Sequence, residues 1–181
     1  MKPAFLTGTK VSLRPLERSD APELLPWVND PAVTSTLLMH RPVNLQAEEA
    51  FIDEMTKSET EVVVGITLKE SGKLIGAAGL NPIHFQSRQA QFGIFIGDKD
   101  EWGKGYATEA TSLLTRYAFE TLNLNRVWLH VTEENTAAIR AYEEVGFKRE
   151  GLLRQAHYRE GRYQNVVAMA IVREEWKPRA A

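Results

Sequence analysis

The chain contains no cysteine. Disulfides, thiolate metal sites and a cysteine nucleophile are thereby excluded together. It lacks any apolar run long enough to span a bilayer, and its opening MKPAFLTGTKVSLRPL has no apolar core of a secretory leader. The expectation from these absences is a cytoplasmic protein with no membrane partner. An excess of charge of one sign is missing as well: 22 lysines and arginines against 24 aspartates and glutamates leave a formal net charge of −2. Nothing in that balance draws the chain to nucleic acid, so none is expected as a partner. His40, His84, His130 and His157 are scattered, with no HExxH pair, and no metal is expected. A Gly-x-Ser-x-Gly elbow is absent too. With no long linker and no internal repeat, the 181 residues read as one domain.

What is present is a sequence of short, well-punctuated elements. KVSLRPL (10–16) alternates Val11 and Leu13 with Ser12 and Arg14, a strand ended by Pro15. SDAPELLPWVND opens with Ser19 or Asp20 as helix cap and runs to Asn29. A second helix fits residues 44–58, with Leu45, Ala50 or Phe51, and Met55 on one side. VVVGITLK and LIGAAGLNPI, split by ESGK, predict a hairpin, and AQFGIFIG (90–97) another strand. Ala107, Ala110, Leu113, Leu114, Tyr117 and Ala118 recur at helical spacing, ending near Leu122 and Asn123. RVWLHVT (126–132) is nearly continuous in apolar residues, like a strand buried on both faces. Asn135 caps a helix through Val145, with Gly146 at the C′ position. FKREGLLRQ and RYQNVVAMAIVR close the order β–α–α–β–β–β–α–β–α–β–β, a mixed sheet with helices on its faces.

Between the 90–97 strand and the following helix stands EWGKGYATEA (101–110). A helix N-terminus offers unpaired amides and the positive end of the dipole, and glycines before it let a phosphate approach. An anion is therefore the expected ligand. The dinucleotide fingerprint fails, because Thr108 stands where its third glycine is needed. The NTPase phosphate loop fails too, since Gly105 and Asp98 occupy its Ser/Thr and first-glycine places. A tight turn that merely uses glycine stays open on this evidence.

WGKGYATEA resembles the acyl-CoA pyrophosphate loop of the GNAT superfamily of N-acetyltransferases, Gln/Arg-x-x-Gly-x-Gly/Ala, with Trp102, Gly105 and Ala107 in its first, fourth and sixth places. It is similar to the RimJ/RimL-type branch in particular. NTAAIRAYEEVGFKREG (135–151) resembles the second signature, Asn-x-x-small-x-x-x-Tyr-x-x-x-Gly-Phe, with Ala138 as its small residue and Tyr142 as its tyrosine. Element order matches from about Lys10 to Trp176. The resemblance implies a mixed α+β fold with a central, mostly antiparallel sheet of about seven strands flanked by helices, one N-acetyltransferase domain over 1–181, and acetyl-CoA as cofactor. The implied partner is an amine acceptor, either a small molecule or a protein N-terminus. Dimers are common among similar proteins, so a homodimer is an open partner.

Carried over by motif, the amides of Gly103, Lys104, Gly105, Tyr106, Ala107 and Thr108 hold the pyrophosphate, with Trp102 at the loop's start. Lys104 then contributes its N–H rather than its ammonium. Phe95, Ile96 and Gly97 pair with the pantetheine arm as an added strand would, and Asn135 and Ala138 contact the same arm. Asn135 is equally a plain helix cap. Tyr142 is the implied acid that protonates the departing thiolate; its place on an apolar stripe with Ile139 and Val145 fits core packing too. Relatives in this branch carry Glu in Ala-Glu-x-Gly, where this chain has Gln91. An amide is no base, so Gln91 would position a water, and His84 is the alternative proton acceptor. Trp27, His40, Phe85 and Tyr158 lie near the segments between which the acceptor enters, and each is also a packing residue. Asn165 replaces a common Asp in GRYQN. An acyl-CoA sensor that has lost turnover is the competing reading.

Overall fold

The computed structural model describes residues 2–35, 37 and 41–177. Eight strands form one sheet in the order β1-β2-β3-β4-β5-β6-β8-β7. They are β1 (Leu6–Thr7), β2 (Val11–Pro15), β3 (Val62–Leu68), β4 (Leu74–His84), β5 (Gln89–Ile96), β6 (Arg126–Thr132), β7 (Lys148–Arg159) and β8 (Arg162–Val172). The helices are α1 (Ala21–Val28), α2 (Pro31–Thr34), α3 (Leu45–Met55), α4 (Tyr106–Glu120) and α5 (Thr136–Val145). The expected element order holds, with two additions: the two-residue β1, which pairs Leu6 with Leu13, and the four-residue α2, capped by Asp30. Neither is long enough to show a period.

Every neighbouring pair is antiparallel except β5 and β6. These run parallel and share only the rungs from Gln89–Arg126 to Gln91–Trp128. Past that point β5 goes on to Ile96 and β6 to Thr132 with no rung between them. Strands adjacent in a sheet normally satisfy each other's amides and carbonyls; here the facing groups of the two strands are left for something else.

One face of the sheet is covered by α4 and α5. Ala110, Leu113, Leu114, Ala118 and Phe119 of α4 and Ile139, Tyr142 and Val145 of α5 pack with Ala90, Phe92, Val127, Leu129 and Met169. Each such fully buried large side chain contributes about 1.5–3 kcal/mol. Asn135 Oδ1 accepts from the Ala138 amide at 3.2 Å, and Gly146, at φ 115°, ends α5, as the spacing predicts. The other face carries α1 and α3 around Leu16, Leu24, Ile52, Leu74 and Ala77. Here the structure corrects the sequence pattern. Leu45 and Phe51 are each 40% exposed, and α3 buries Glu48 and Ile52 instead. Contact with α1 decides which side turns inward, and Ile52 fits among Leu16, Ala21 and Leu24.

Two polar ties fix the N-terminal part. Asp20 precedes α1 without capping it through its side chain. Its carboxylate instead accepts from Arg14 Nη1 (2.7 Å), Arg14 Nη2 (2.9 Å), Lys2 Nζ (2.8 Å) and the Glu17 amide (2.8 Å). Glu109 of α4 accepts from the Thr9, Lys10 and Val11 amides at 2.7, 2.9 and 2.8 Å, which ties the β1–β2 turn to the start of α4. No helix among the described residues is long and apolar enough to cross a membrane.

Candidate active site

The loop between β5 and α4 is shaped by two left-handed glycines, Gly103 at φ 73° and Gly105 at φ 81°. Gly105 stands at the N-cap of α4 and offers no side-chain acceptor. The first amide of the helix with a backbone acceptor is that of Glu109, to the Gly105 carbonyl at 3.1 Å. Among the described residues, none of the six amides from Gly103 to Thr108 has a protein acceptor. A Cβ on Gly103 would meet nothing within 4 Å, so the space before these donors is open. Six unpaired N–H groups at the positive end of a 15-residue helix make an anion cradle, and the residues fit a pyrophosphate. Lys10 borders it, its Nζ 3.5 Å from where a Cβ of Gly105 would stand. The Trp102 indole N–H donates to the Ile96 carbonyl at 2.8 Å, which holds the loop against the strand end. Lys104 Nζ pairs with Glu101 at 2.7 Å, and Lys10 Nζ donates to the Lys104 carbonyl at 3.1 Å. Gly105→Val is expected to strain the backbone by about 1–2 kcal/mol and to fill the cradle. Calorimetric titration with CoA should then show affinity weakened by at least about tenfold.

Where β5 and β6 part, the two faces present different chemistry. Phe92, the first β5 residue past the last rung, points toward α5, its ring 6.1 Å from that of Tyr142. Tyr142 is 9% exposed, and burial pushes its phenol up to about 12. It therefore stays protonated at neutral pH, as an acid must before it acts. On the opposite face lie Gln91, Gly93 and Phe95 of β5, by the two-residue alternation of a strand. Trp128 shares the rung and hence the face of Gln91. His130, two residues on, is the first β6 side chain on that face beyond the last rung, its ring 5.2 Å from that of Trp128. A Cβ on Gly93 would meet nothing within 4 Å, so open space begins beside Gln91. Trp128 and His130 are half-buried, which corrects the expectation that β6 is buried on both faces. Its outward positions carry an aromatic and an imidazole, both of which register as apolar or neutral in a pattern count. His84 ends β4 opposite Gln89, two rungs or about 7 Å back from Gln91, and is exposed.

A cavity of about 420 Å³ is lined, among the described residues, by Val28, Asn29, Thr34, Arg41, Pro42, Tyr158, Arg159 and Glu160. Its walls are α1 and α2 on one side and the β7–β8 hairpin tip on the other. The first wall is seated on the end of β5: ring atoms of Trp27 lie 2.2–2.4 Å from where a Cβ of Gly97 would stand, and Lys99 Nζ pairs with Asp30 at 2.7 Å. The second continues beyond the end of β6, where Thr132 pairs with Val166. Arg159 bridges the walls, donating to the Thr34 carbonyl, to Thr34 Oγ1 at 3.2 Å and to the Leu37 carbonyl at 3.4 Å. Of the expected acceptor residues, Tyr158 lines this cavity, whereas Trp27 packs on Gly97 beneath the first wall and is not part of the lining. Phe85 does not: it sits 51% exposed in the β4–β5 turn, at the far end of β5 from the loop. His40 lies outside the described residues. Asn165 is occupied structurally, accepting from the Gln155 amide and donating to Glu133, both at 2.9 Å. Gly97→Ala is expected to displace Trp27 and destabilise the fold by about 1–3 kcal/mol, seen as a lower Tm.

A family profile described as an acetyltransferase (GNAT) domain matches residues 10–148. This chain belongs to the GNAT acetyltransferases. It is an acetyl-CoA-dependent N-acetyltransferase with the mixed α+β fold of that family. The chain is 32% identical over 170 residues to an uncharacterized N-acetyltransferase, p20, of Bacillus licheniformis, covering 92% of this chain and 95% of the relative. It is 31% identical over 179 residues to the spermidine N(1)-acetyltransferase of Escherichia coli, covering 92% and 88%. Among solved structures, spermidine N-acetyltransferase from Vibrio cholerae in complex with CoA and spermine superposes with a TM-score of 0.87 at 30% identity, covering 93% of this chain and 98% of that one. Among the described residues of this GNAT chain, no group of three His, Cys, Asp or Glu side chains could hold a metal ion.

Proposed function

We propose that this enzyme, a RimJ/RimL-type member of the family acting in the cytoplasm, transfers acetyl from acetyl-CoA to the primary amine of a small molecule by direct attack in a ternary complex. The observation that carries the reading is an anion cradle after β5 together with a cavity whose α1 wall is seated on the end of the same strand. The six unbonded amides from Gly103 to Thr108 hold the pyrophosphate, Phe95–Gly97 and Asn135–Ala138 flank the pantetheine, and the 420 Å³ cavity admits the acceptor from the other face. That volume suits a small ligand better than a protein N-terminus, and relatives named for spermidine support a small amine.

The residues divide the proton work. As the amine nitrogen bonds to the acyl carbon and the carbon–sulfur bond breaks, the Tyr142 phenol gives its proton to the departing thiolate. Amides of the free β5 edge donate to the acyl oxygen as it gains charge. Gln91 holds a water that takes the proton lost by the amine, with His84 or His130 on the same face as the onward acceptor. The test is an acceptor panel with acetyl-CoA, reading free thiol. Release with at least one class of small amine is expected; release only with peptide N-termini would overturn the small-molecule reading. Gln91 favours a second reading, an acyl-CoA sensor without turnover, which predicts CoA binding and no thiol release from any acceptor.

A further inference from the structure

We infer that the amine acceptor carries an anionic group, a carboxylate or phosphate, which the Arg41 guanidinium holds at the mouth of the acceptor cavity. This rests on the small-amine reading above and narrows it. A polyammonium chain would need uncommitted carboxylates along its path. The cavity supplies the reverse. Among the described residues its charged lining consists of Arg41, Arg159 and Glu160, two guanidiniums against one carboxylate. Arg159 is occupied by Thr34 and Leu37, and its Nε lies 3.9 Å from Glu160. Arg41 has no hydrogen-bond or ion-pair partner among the described residues.

Apart from Glu160, which among the described residues has only its 3.9 Å contact with Arg159, the neighbouring carboxylates of Asp30, Glu133 and Glu134 are already engaged. Asp30 caps α2 and pairs with Lys99 at 2.7 Å. Glu134 holds Arg162 through two bonds of 2.8 Å, and Glu133 accepts from Asn165. Glu48, unpaired among the described residues, is buried on α3 and is not part of the cavity lining; burial pushes its carboxyl up, toward the neutral form. Among the described residues, Arg41 is the one lining cation without a partner, in a concave site that Pro42 and Tyr158 also line. A planar guanidinium with five donors is suited to carboxylate or phosphate.

The test measures initial rates of thiol release with acetyl-CoA for three kinds of amine: short amino acids and 2-aminoethyl phosphate, their uncharged amide or alcohol counterparts, and spermidine. The anionic amines should exceed their uncharged counterparts in kcat/KM by about 10- to 100-fold, and the better of the two anions identifies the group. Arg41→Gln should erase that margin through KM while kcat stays, and Arg41→Glu should reverse the preference toward spermidine. Spermidine used as well as or better than every anionic amine, with Arg41→Gln indifferent, overturns the anion assignment and leaves the small-amine reading standing. Thiol release from no small amine, with CoA binding intact by calorimetry, overturns both.

Discussion

Tyr142→Phe is expected to lower kcat by about 10²–10⁴-fold while CoA affinity stays nearly unchanged. The variant removes one oxygen from a ring whose packing against Phe92 and Phe147, at 6.1 and 5.9 Å, is apolar, so the fold keeps its contacts. What is lost is a proton donor at the parting of β5 and β6. Steady-state rates beside calorimetric CoA binding separate the two effects. Full rate at saturating acceptor would remove the acid role and leave Tyr142 as core. The phenol's elevation to about 12 carries a second consequence. An unfolded tyrosine ionises near pH 10, so native stability tied to the neutral phenol is complete below that value. It declines as pH rises from 10 toward 12, by roughly 3 kcal/mol in the limit.

Asp20→Asn is expected to destabilise the fold by about 3–5 kcal/mol, measured by denaturant unfolding. Arg14 and Asp20 are 6% and 5% exposed, and removing the aspartate charge leaves a buried guanidinium without its counter-ion. Burial alone would raise the Asp20 carboxyl; hydrogen bonds from Arg14, Lys2 and the Glu17 amide outweigh it and bring it from 3.8 to about 2. The sign follows directly. A depressed carboxyl stabilises the native state above its unfolded value, and that contribution, roughly 2 kcal/mol, disappears as pH falls from about 4 to 2. Replacing the pair together by Met and Leu should cost less than Asp20→Asn alone, because no orphan charge remains.

Sequence pattern carried most of this architecture. Strands with alternating or continuous apolar residues, the α4 stripe, and the Asn135 and Gly146 caps of α5 are local signals, each decided within a few residues. The glycines ahead of α4 point to an anion from sequence alone. Three features were beyond reach, each for a reason of scale. β1 and α2 have two and four residues, below any period. The buried side of α3 depends on α1, which the α3 pattern does not contain. The separation of β5 from β6 arises from the paths of two strands far apart in the chain, so the exposure of Trp128 and His130 beside Gln91 could not be read from RVWLHVT. Parallel pairing, once seen, gives their face at once. Arg41 was equally silent, since its meaning comes from the carboxylates around it being taken.

The seat of Trp27 on Gly97 would make one short piece of backbone common to the cofactor and the acceptor of the proposed reaction. On one side it leads into the six free amides; on the other it is the floor under the acceptor wall. Any shift of Gly97 that accompanies loading of the cradle is also a shift of the α1 wall. Thermodynamic linkage makes such an effect mutual: if a filled cradle improves acceptor affinity by some factor, a bound acceptor improves CoA affinity by the same factor. Gly97 would then be a joint through which each ligand favours the other.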